Sequence, residues 1–161
     1  MAALTADKIR DSRNVQNKTE STFSIATAST LYVGSLANFN TAGRVVAATA
    51  AASRRFAGVV EEIVNESANA ISAATGNTAG TIKARIAWGH EVLVDVKTAA
   101  RTFSNLGKNV FVSTDNDVTD TTGAGTAAVR VKIGALTEMV DRTNKDEAWI
   151  ALRVFGDTDA A

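Results

Sequence analysis

Short runs of alternating apolar and polar residues, each closed by glycine, asparagine, aspartate or threonine, constrain the fold of this chain more than any other feature. In an extended strand, successive side chains point to opposite faces, so each run predicts a strand with one buried face. The clearest examples are Thr81–Trp88, Glu91–Val96 and Val129–Ile133. The pattern predicts an all-β fold, either a small β-sandwich or a β-barrel of short antiparallel strands, with an extended N-terminal arm.

The other predicted strands share this pattern and are bounded by polar turns. They are Thr30–Leu36, Arg44–Ala47, Phe56–Val64, Asn109–Ser113, Ala135–Val140 and Ala148–Phe155. Between them, Asn65–Gly80 is predicted as a loop of small residues, Thr98–Leu106 as one short helical turn and Thr114–Asp120 as a polar turn. Gly134 is predicted to break the strand that precedes it.

The first 22 residues differ from the rest of the chain, because they are polar, with charges of alternating sign and no clear period. We therefore expect an extended N-terminal arm at residues 1–22, a β-rich domain at 23–156 and a polar C-terminal tail at 157–161. The arm has too few apolar residues to offset the entropy lost on ordering it alone. It is either a loosely attached terminus or a segment that becomes ordered on a partner, with Leu4, Ile9 and Val15 as its apolar anchors.

Composition limits what the core can bury. Hydrophobic residues make up 45% of the 161 residues, but many are alanine, and only 6% of the chain is aromatic. We expect a thin core, so the folded chain gains from burying further surface against partners. The charge is balanced, with 17 basic and 17 acidic residues and no dense basic run. Nucleic-acid binding, which needs a basic face to neutralise phosphates, is therefore not predicted.

Cysteine content and hydropathy indicate the cellular compartment in which the chain is made. There is no cysteine, which excludes disulfides and thiol chemistry. No apolar run approaches the roughly 18 residues of a membrane span, and the N-terminus lacks the apolar stretch of a secretory signal. We expect a soluble protein that is made in a reducing cytoplasm.

Residues that could carry chemistry do not form a recognisable catalytic pattern. His90 is the only histidine, and without a G-x-S-x-G nucleophile motif it is interpreted as a turn residue. Glu61 and Glu62 are adjacent in a predicted strand, so their side chains are expected on opposite faces rather than as a carboxylate pair. The turn at Asp115–Asp120 lacks the glycine and glutamate that a calcium loop requires. We therefore predict a protein that is not an enzyme and has no catalytic residue, cofactor or metal.

Two tryptophans, Trp88 and Trp149, lie within predicted strands. Large aromatic side chains dominate the energetics of cores and interfaces, because each buries a large apolar area. Each tryptophan is therefore interpreted as a core or interface anchor. Together with Leu4, Ile9 and Val15, they are the candidate partner-binding residues.

Three short motifs follow one another in a fixed order along the chain. They are the turn Thr41–Val46 (x-A-G-R-x-V), the strand Phe56–Glu62 (F-x-G-V-V-x-E) and the segment Asn105–Val112 (x-L-G-K-x-V-[FY]-V). In this order, within residues 23–155, the chain resembles the small phage head proteins called capsid cement or decoration proteins. That family includes a domain of unknown function from phage genomes.

The resemblance implies a structural virion protein of a bacteriophage that binds the outer surface of the viral capsid. There it would bridge neighbouring major capsid proteins and stabilise the head, as a homotrimer near the three-fold or quasi-three-fold points of the shell. The expected partners are the major capsid protein and copies of the chain itself, with no nucleic acid and no membrane. The chain would be made in the host cytoplasm and become part of the virion.

Two other functions remain open for an all-β chain without a catalytic pattern. A tail-tube or neck subunit is another virion part, but tube subunits usually carry a long hairpin and a helix packed on a sandwich. A carbohydrate-binding β-module would need a row of exposed aromatic side chains, for which an aromatic content of 6% leaves little room. A hydrolase is the least favoured, for the reason given for His90.

Overall fold

The computed structural model describes residues 3–65, 70–71, 73–97, 105–120, 126, 130–142 and 145–152. The described chain is all-β, as predicted, with a three-residue 3-10 helix, η1 (Val15–Asn17). The strands are β1 (Ser12–Arg13), β2 (Thr19–Ser24), β3 (Thr30–Tyr32), β4 (Leu36–Phe39), β5 (Val45–Ala47), β6 (Arg55–Asn65), β7 (Ala70–Ile71), β8 (Ala73–Thr75), β9 (Ile82–Trp88), β10 (Glu91–Val96), β11 (Asn109–Val112), β12 (Asp117–Thr119), β13 (Lys132–Arg142) and β14 (Lys145–Leu152).

The first sheet contains a closed ring of strands. Its order is β1-β10-β12-β11-β13-β14, and β14 also pairs with β10, which closes the five strands from β10 to β14 on themselves. Neighbouring strands are antiparallel except β10 and β12, which run parallel. The short β1 extends the sheet beside the start of β10. Closure directs alternate side chains of the ring into one interior.

The second sheet has the order β2-β9-β6-β4-β5, with the short β7 beside β6. All of these pairs are antiparallel. A parallel bridge between Ile25 and Val45 connects the chain just after β2 to β5, so this sheet also curls towards closure. Strands β3 and β8 form a separate pair.

Strand β6 contributes to two hydrophobic cores. Phe56 and Val59 pack in the first core, with apolar residues of the closed ring. Ala57 and Val60 pack in the second core, which also contains Trp88. One strand can supply both cores, because neighbouring residues of a strand point to opposite faces. The register shift of β6 against β4 adds one residue at Ala57, so Ala57 and Val59 fall in different cores. The two cores therefore share a structural element.

A bulge in β6 affects the placement of Glu61 and Glu62, because the register of β6 against β9 shifts at this point. Lys18 contacts Glu61 at 3.3 Å and Glu20 at 2.9 Å. Arg85 contacts Glu62 at 3.4 Å and Glu20 at 3.5 Å. The extra residue of a bulge interrupts the alternation on which the expectation of opposite faces rested. Both carboxylates join one ion-pair network.

Three segments differ from the sequence-based expectation. The predicted loop Asn65–Gly80 contains β7 and β8, and the predicted turn Thr114–Asp120 contains β12. These strands are two or three residues long, so no alternation could reveal them. Gly134 does not break its strand, because it lies within β13, where an added Cβ would be 1.9 Å from the carbonyl oxygen of Ala151. The glycine allows the backbones of β13 and β14 to approach closely.

The predicted bounds are identical to the observed ones for β10 and agree to within one residue at each end for β5, β6, β9 and β11. The predicted strand Thr30–Leu36 is divided by a turn into β3 and the first residue of β4. The predicted boundary after Thr22 falls inside β2, which pairs with β9 from Thr19 to Ser24. Most of the predicted helical turn Thr98–Leu106 and the tail 157–161 lie outside the described residues.

Candidate functional site: the strap and its receptacle

The N-terminal segment lies against the folded domain. We call residues 3–13 the strap. The backbone N–H of Lys8 donates to the Val33 carbonyl at 2.9 Å, and the Asp7 carboxylate accepts the Val33 N–H at 3.0 Å. Further along, the Asp11 carbonyl accepts the Leu93 N–H at 2.9 Å, where β1 begins to pair with β10. Main-chain hydrogen bonds thus join the strap to the β3–β4 turn and to the first sheet.

Two basic side chains of the strap enter a polar receptacle formed by Gly34, Asp95, Asp115 and Asn116. The Lys8 ammonium contacts the Asp95 carboxylate at 2.6 Å. The Arg10 guanidinium donates to the Gly34 carbonyl at 2.5 Å. It also donates to the Asn116 carbonyl at 3.1 Å. The Asn116 amide donates to Asp95 at 3.0 Å, which orients the carboxylate towards Lys8.

The receptacle is acidic and largely removed from water. Burial lowers the pKa of Arg10 to about 10, although Asp95 and Asp115 oppose this shift. Arg10 therefore stays charged at neutral pH. Burial raises the pKa of Asp115, whose carboxylate accepts the Leu4 N–H at 2.9 Å. A basic side chain in this place offsets the cost of burying the carboxylates.

Gly34 allows the strap to lie this close. It has a φ of 85°, a left-handed conformation that side chains other than glycine rarely adopt. A Cβ on Gly34 would be 1.8 Å from the carbonyl oxygen of Lys8. The backbone of the strap thus occupies the space that any larger residue at position 34 would need.

A second contact holds the end of the strap on the first sheet. The Arg13 guanidinium contacts Glu91 at 2.6 Å and Glu138 at 2.5 Å. It also stacks on the Trp149 ring, 4.3 Å from the ring centroid, in a cation–π contact. The Asn14 amide donates to Glu91 as well. Burial alone would raise the pKa of Glu91, but hydrogen bonds from Thr137, Arg13 and Asn14 lower it, so Glu91 is ionised.

The five candidate partner-binding residues do not form one surface. Ile9 is 95% exposed and Val15 is 53% exposed, whereas Leu4 is half-buried. Trp88 is buried in the second core. Trp149 is half-buried beneath Arg13. The structure therefore separates two outward-facing residues, Ile9 and Val15, from two tryptophans with structural contacts.

Sequence reasoning missed the charged residues that hold the strap. Charged and apolar side chains alternate at Lys8, Ile9 and Arg10. This alternation could have predicted a strand whose charged side chains face the domain and whose apolar side chain faces outward. The partners carried no such signal, because Asp95 lies 87 residues from Lys8 and Asn116 lies 106 residues from Arg10. The segment Thr114–Asp120, predicted as a polar turn, supplies Asn116 and Asp115 as hydrogen-bond partners of the strap.

Two open cavities lie on the described surface. One, of about 230 Å³, is beside the strap, between Ile9 and the β6 residues Val59 and Val60. The other, of about 410 Å³, lies at β11, where Arg130 stands 5.9 Å from the centre of the Phe111 ring. No group of three or more acidic or histidine side chains in the described residues could hold a metal ion.

His90 lies in the turn between β9 and β10, as interpreted from the sequence, but it is only 3% exposed. Burial lowers its pKa, and the backbone of Trp88 opposes this shift, although neither ring nitrogen has a hydrogen-bond partner among the described residues. The charges nearest to it are Lys18, Glu61 and Glu20. Burial in the turn thus favours the neutral imidazole of His90.

Comparison of the chain with known proteins finds no relative. No family model, no curated protein and no solved structure matches the chain. Within the part of the chain that the structure describes, no helix has the length and apolar character needed to cross a membrane. The strap and its receptacle are thus the features from which function has to be inferred.

Proposed function

We propose that this chain is a capsid cement or decoration protein of a bacteriophage. It binds the outer surface of the viral capsid, contacts neighbouring major capsid proteins and stabilises the head as a homotrimer. The proposal rests on the resemblance of the three ordered motifs, and the all-β fold is consistent with it.

The observation that best supports a partner surface is the inverted orientation of the strap. Its charged residues Lys8 and Arg10 point into the domain, whereas Ile9, between them, is 95% exposed. Val15, just beyond the strap, is 53% exposed. In a free monomer this arrangement costs hydrophobic free energy, because apolar side chains are stabilised by burial. We assign Ile9 and Val15 to the contact with the major capsid protein.

Strand β2 offers a second means of contact. It is the terminal strand in the order β2-β9-β6-β4-β5, and Thr19–Thr22 are exposed. A terminal strand can accept another strand through its main-chain donors and acceptors, as in β-augmentation. In the proposed complex, a segment of the major capsid protein pairs with this edge.

Binding to capsids that lack the decoration protein tests the proposal. The capsids are assembled from the major capsid protein of the genome that encodes the chain, and binding is measured by co-sedimentation. We expect the unmodified chain to bind and the double variant Ile9→Ser/Val15→Ser to bind more weakly with unchanged circular dichroism. The matched control is Leu106→Ser, since Leu106 is 41% exposed and lies outside the strap.

Two results would count against the proposal. If the unmodified chain does not sediment with capsids, capsid binding is wrong. If electron microscopy of the purified chain shows tubes or stacked rings, a tail-tube or neck subunit is the better assignment. Equal binding by the double variant and the unmodified chain would remove Ile9 and Val15 from the interface.

A further inference from the structure

The strap is held almost entirely by polar contacts. No residue of the strap belongs to either hydrophobic core, and the earliest residue packed against a core is Phe23. Its contacts are main-chain hydrogen bonds, the Lys8–Asp95 ion pair, the Arg10 hydrogen bonds and the Arg13 contact with Glu91. The strap can therefore leave the domain without opening either core.

The receptacle has the chemistry of a binding site for an extended basic peptide. Buried or half-buried carboxylates of Asp95, Asp115, Asp117 and Glu147 all attract Arg10. Main-chain hydrogen bonds at Val33 and Leu93 recognise an extended backbone on either side of the basic residues. The matching ligand is a strand of the form Lys-x-Arg. The chain's own strap has this form at residues 8–10.

A hinge separates the strap from the rest of the chain. Asn14, between β1 and η1, has a φ of 53° and a ψ of 43°, in the left-handed region. Asparagine occupies this region more readily than most residues, so Asn14 can turn the chain here and can also return to an extended conformation. If the strap leaves its own domain, the segment from Asn14 to Lys18 between β1 and β2 is the part that crosses to a neighbouring copy, and five extended residues span at most roughly 18 Å.

We propose that the receptacle also binds the strap of a second copy, so that associated copies exchange straps. Exchange preserves every contact of the strap, and its cost is limited to association and to the change at Asn14. This inference rests on the proposed self-association of the chain but not on capsid binding.

Disulfide trapping between two different chains tests the exchange. Arg13 and Glu91 are paired residues of β1 and β10, and their side chains meet at 2.6 Å. Paired antiparallel residues have Cα atoms about 5.5 Å apart, within the range of roughly 4.4–6.8 Å that a disulfide needs. The native chain has no cysteine, so Arg13→Cys and Glu91→Cys can be placed in separate full-length chains.

The two single-cysteine chains carry tags of different size and are mixed, concentrated and oxidised. A disulfide between Arg13→Cys and Glu91→Cys then joins the strap of one chain to β10 of the other. We expect a mixed band with the combined mass of the two chains. The matched control replaces Glu91→Cys by Glu62→Cys, a half-buried position on β6 that contacts Arg85 rather than the strap.

Photo-crosslinking tests strap exchange without replacing a residue that holds the strap. A photo-crosslinking amino acid at the exposed position Ile9 is introduced into the full chain, which is mixed with an isotope-labelled unmodified chain. Exchange predicts cross-links from position 9 of one chain to the Val33–Gly34 turn of the other. If no mixed disulfide forms and the cross-links from position 9 stay within one chain, exchange is excluded. If the chain forms an oligomer but no mixed cross-links, the copies associate without exchanging straps.

Discussion

At the scale of single residues, two glycines with similar backbones have different surroundings. Gly34 and Gly43 have φ values of 85° and 74°. A Cβ on Gly34 would collide with the carbonyl of Lys8, whereas a Cβ on Gly43 would meet nothing within 4 Å. Comparing alanine substitutions at the two glycines therefore distinguishes two costs in the free energy of unfolding. One is the cost of a left-handed backbone, and the other is the cost of displacing the strap.

We expect Gly43→Ala to cost about 1–2 kcal/mol in the free energy of unfolding, from its backbone alone. Gly34→Ala should cost about 1–3 kcal/mol more, because the added carbon overlaps the strap backbone. Urea unfolding measures both values, and limited proteolysis reports the release of residues 3–13. Equal stability and equal proteolysis of the two variants would show that Gly34 does not seat the strap.

At the scale of elements, the strap and β2 follow each other in the chain but contribute differently. The strap supplies no core side chain, while β2 pairs with β9 over six residues and Phe23 packs against the second core. The predicted boundary after residue 22 was placed by polarity. Polarity does not distinguish the strap from β2, because both segments are polar. Their removal should have unequal effects.

We expect a chain without residues 1–11 to stay folded but to lose about 3–5 kcal/mol, because removing Arg10 leaves the buried carboxylates of the receptacle without their basic partner. A chain without residues 1–24 should lose its cooperative unfolding transition, because β9 then loses one of its two partner strands and the second core loses the packing of Phe23. Circular dichroism and thermal melting check both chains. A cooperative transition of equal midpoint in the two truncated chains would mean that β2 adds no stability.

The sequence predicts those elements whose signal is local. Strands β9 and β10 alternate over six or seven residues, so their type and bounds can be read directly. Strand β12 cannot, because its three residues include Asp117 and Thr119, which are buried only through pairing with β10 and β11. The receptacle is hidden for the same reason: its residues come from three parts of the chain that only the fold brings together.

At the scale of the whole molecule, shared strands couple the two cores. Strand β6 supplies Phe56 to the first core and Val60 to the second. Unfolding either core would expose side chains or break pairing in the other. The two tryptophans lie on opposite sides of this arrangement, with Trp88 in the second core and Trp149 on β14 of the first sheet.

We expect one cooperative transition in urea. In Trp88→Phe, the fluorescence of Trp149 reports the first sheet, and in Trp149→Phe, the fluorescence of Trp88 reports the second core. Within each variant, the fluorescence midpoint should coincide with the midpoint from circular dichroism, as two-state unfolding requires. Separate midpoints in either variant would show that one core unfolds before the other.

The closed ring of the first sheet has a consequence for crowding. Open sheet edges are templates on which neighbouring chains add strands without limit, and closure removes such edges. In the described strands from β10 to β14, each strand is flanked by partners from the same chain. Copies packed side by side at high local density can therefore stay separate folded units, and growth into fibres through this sheet is blocked by its own connectivity.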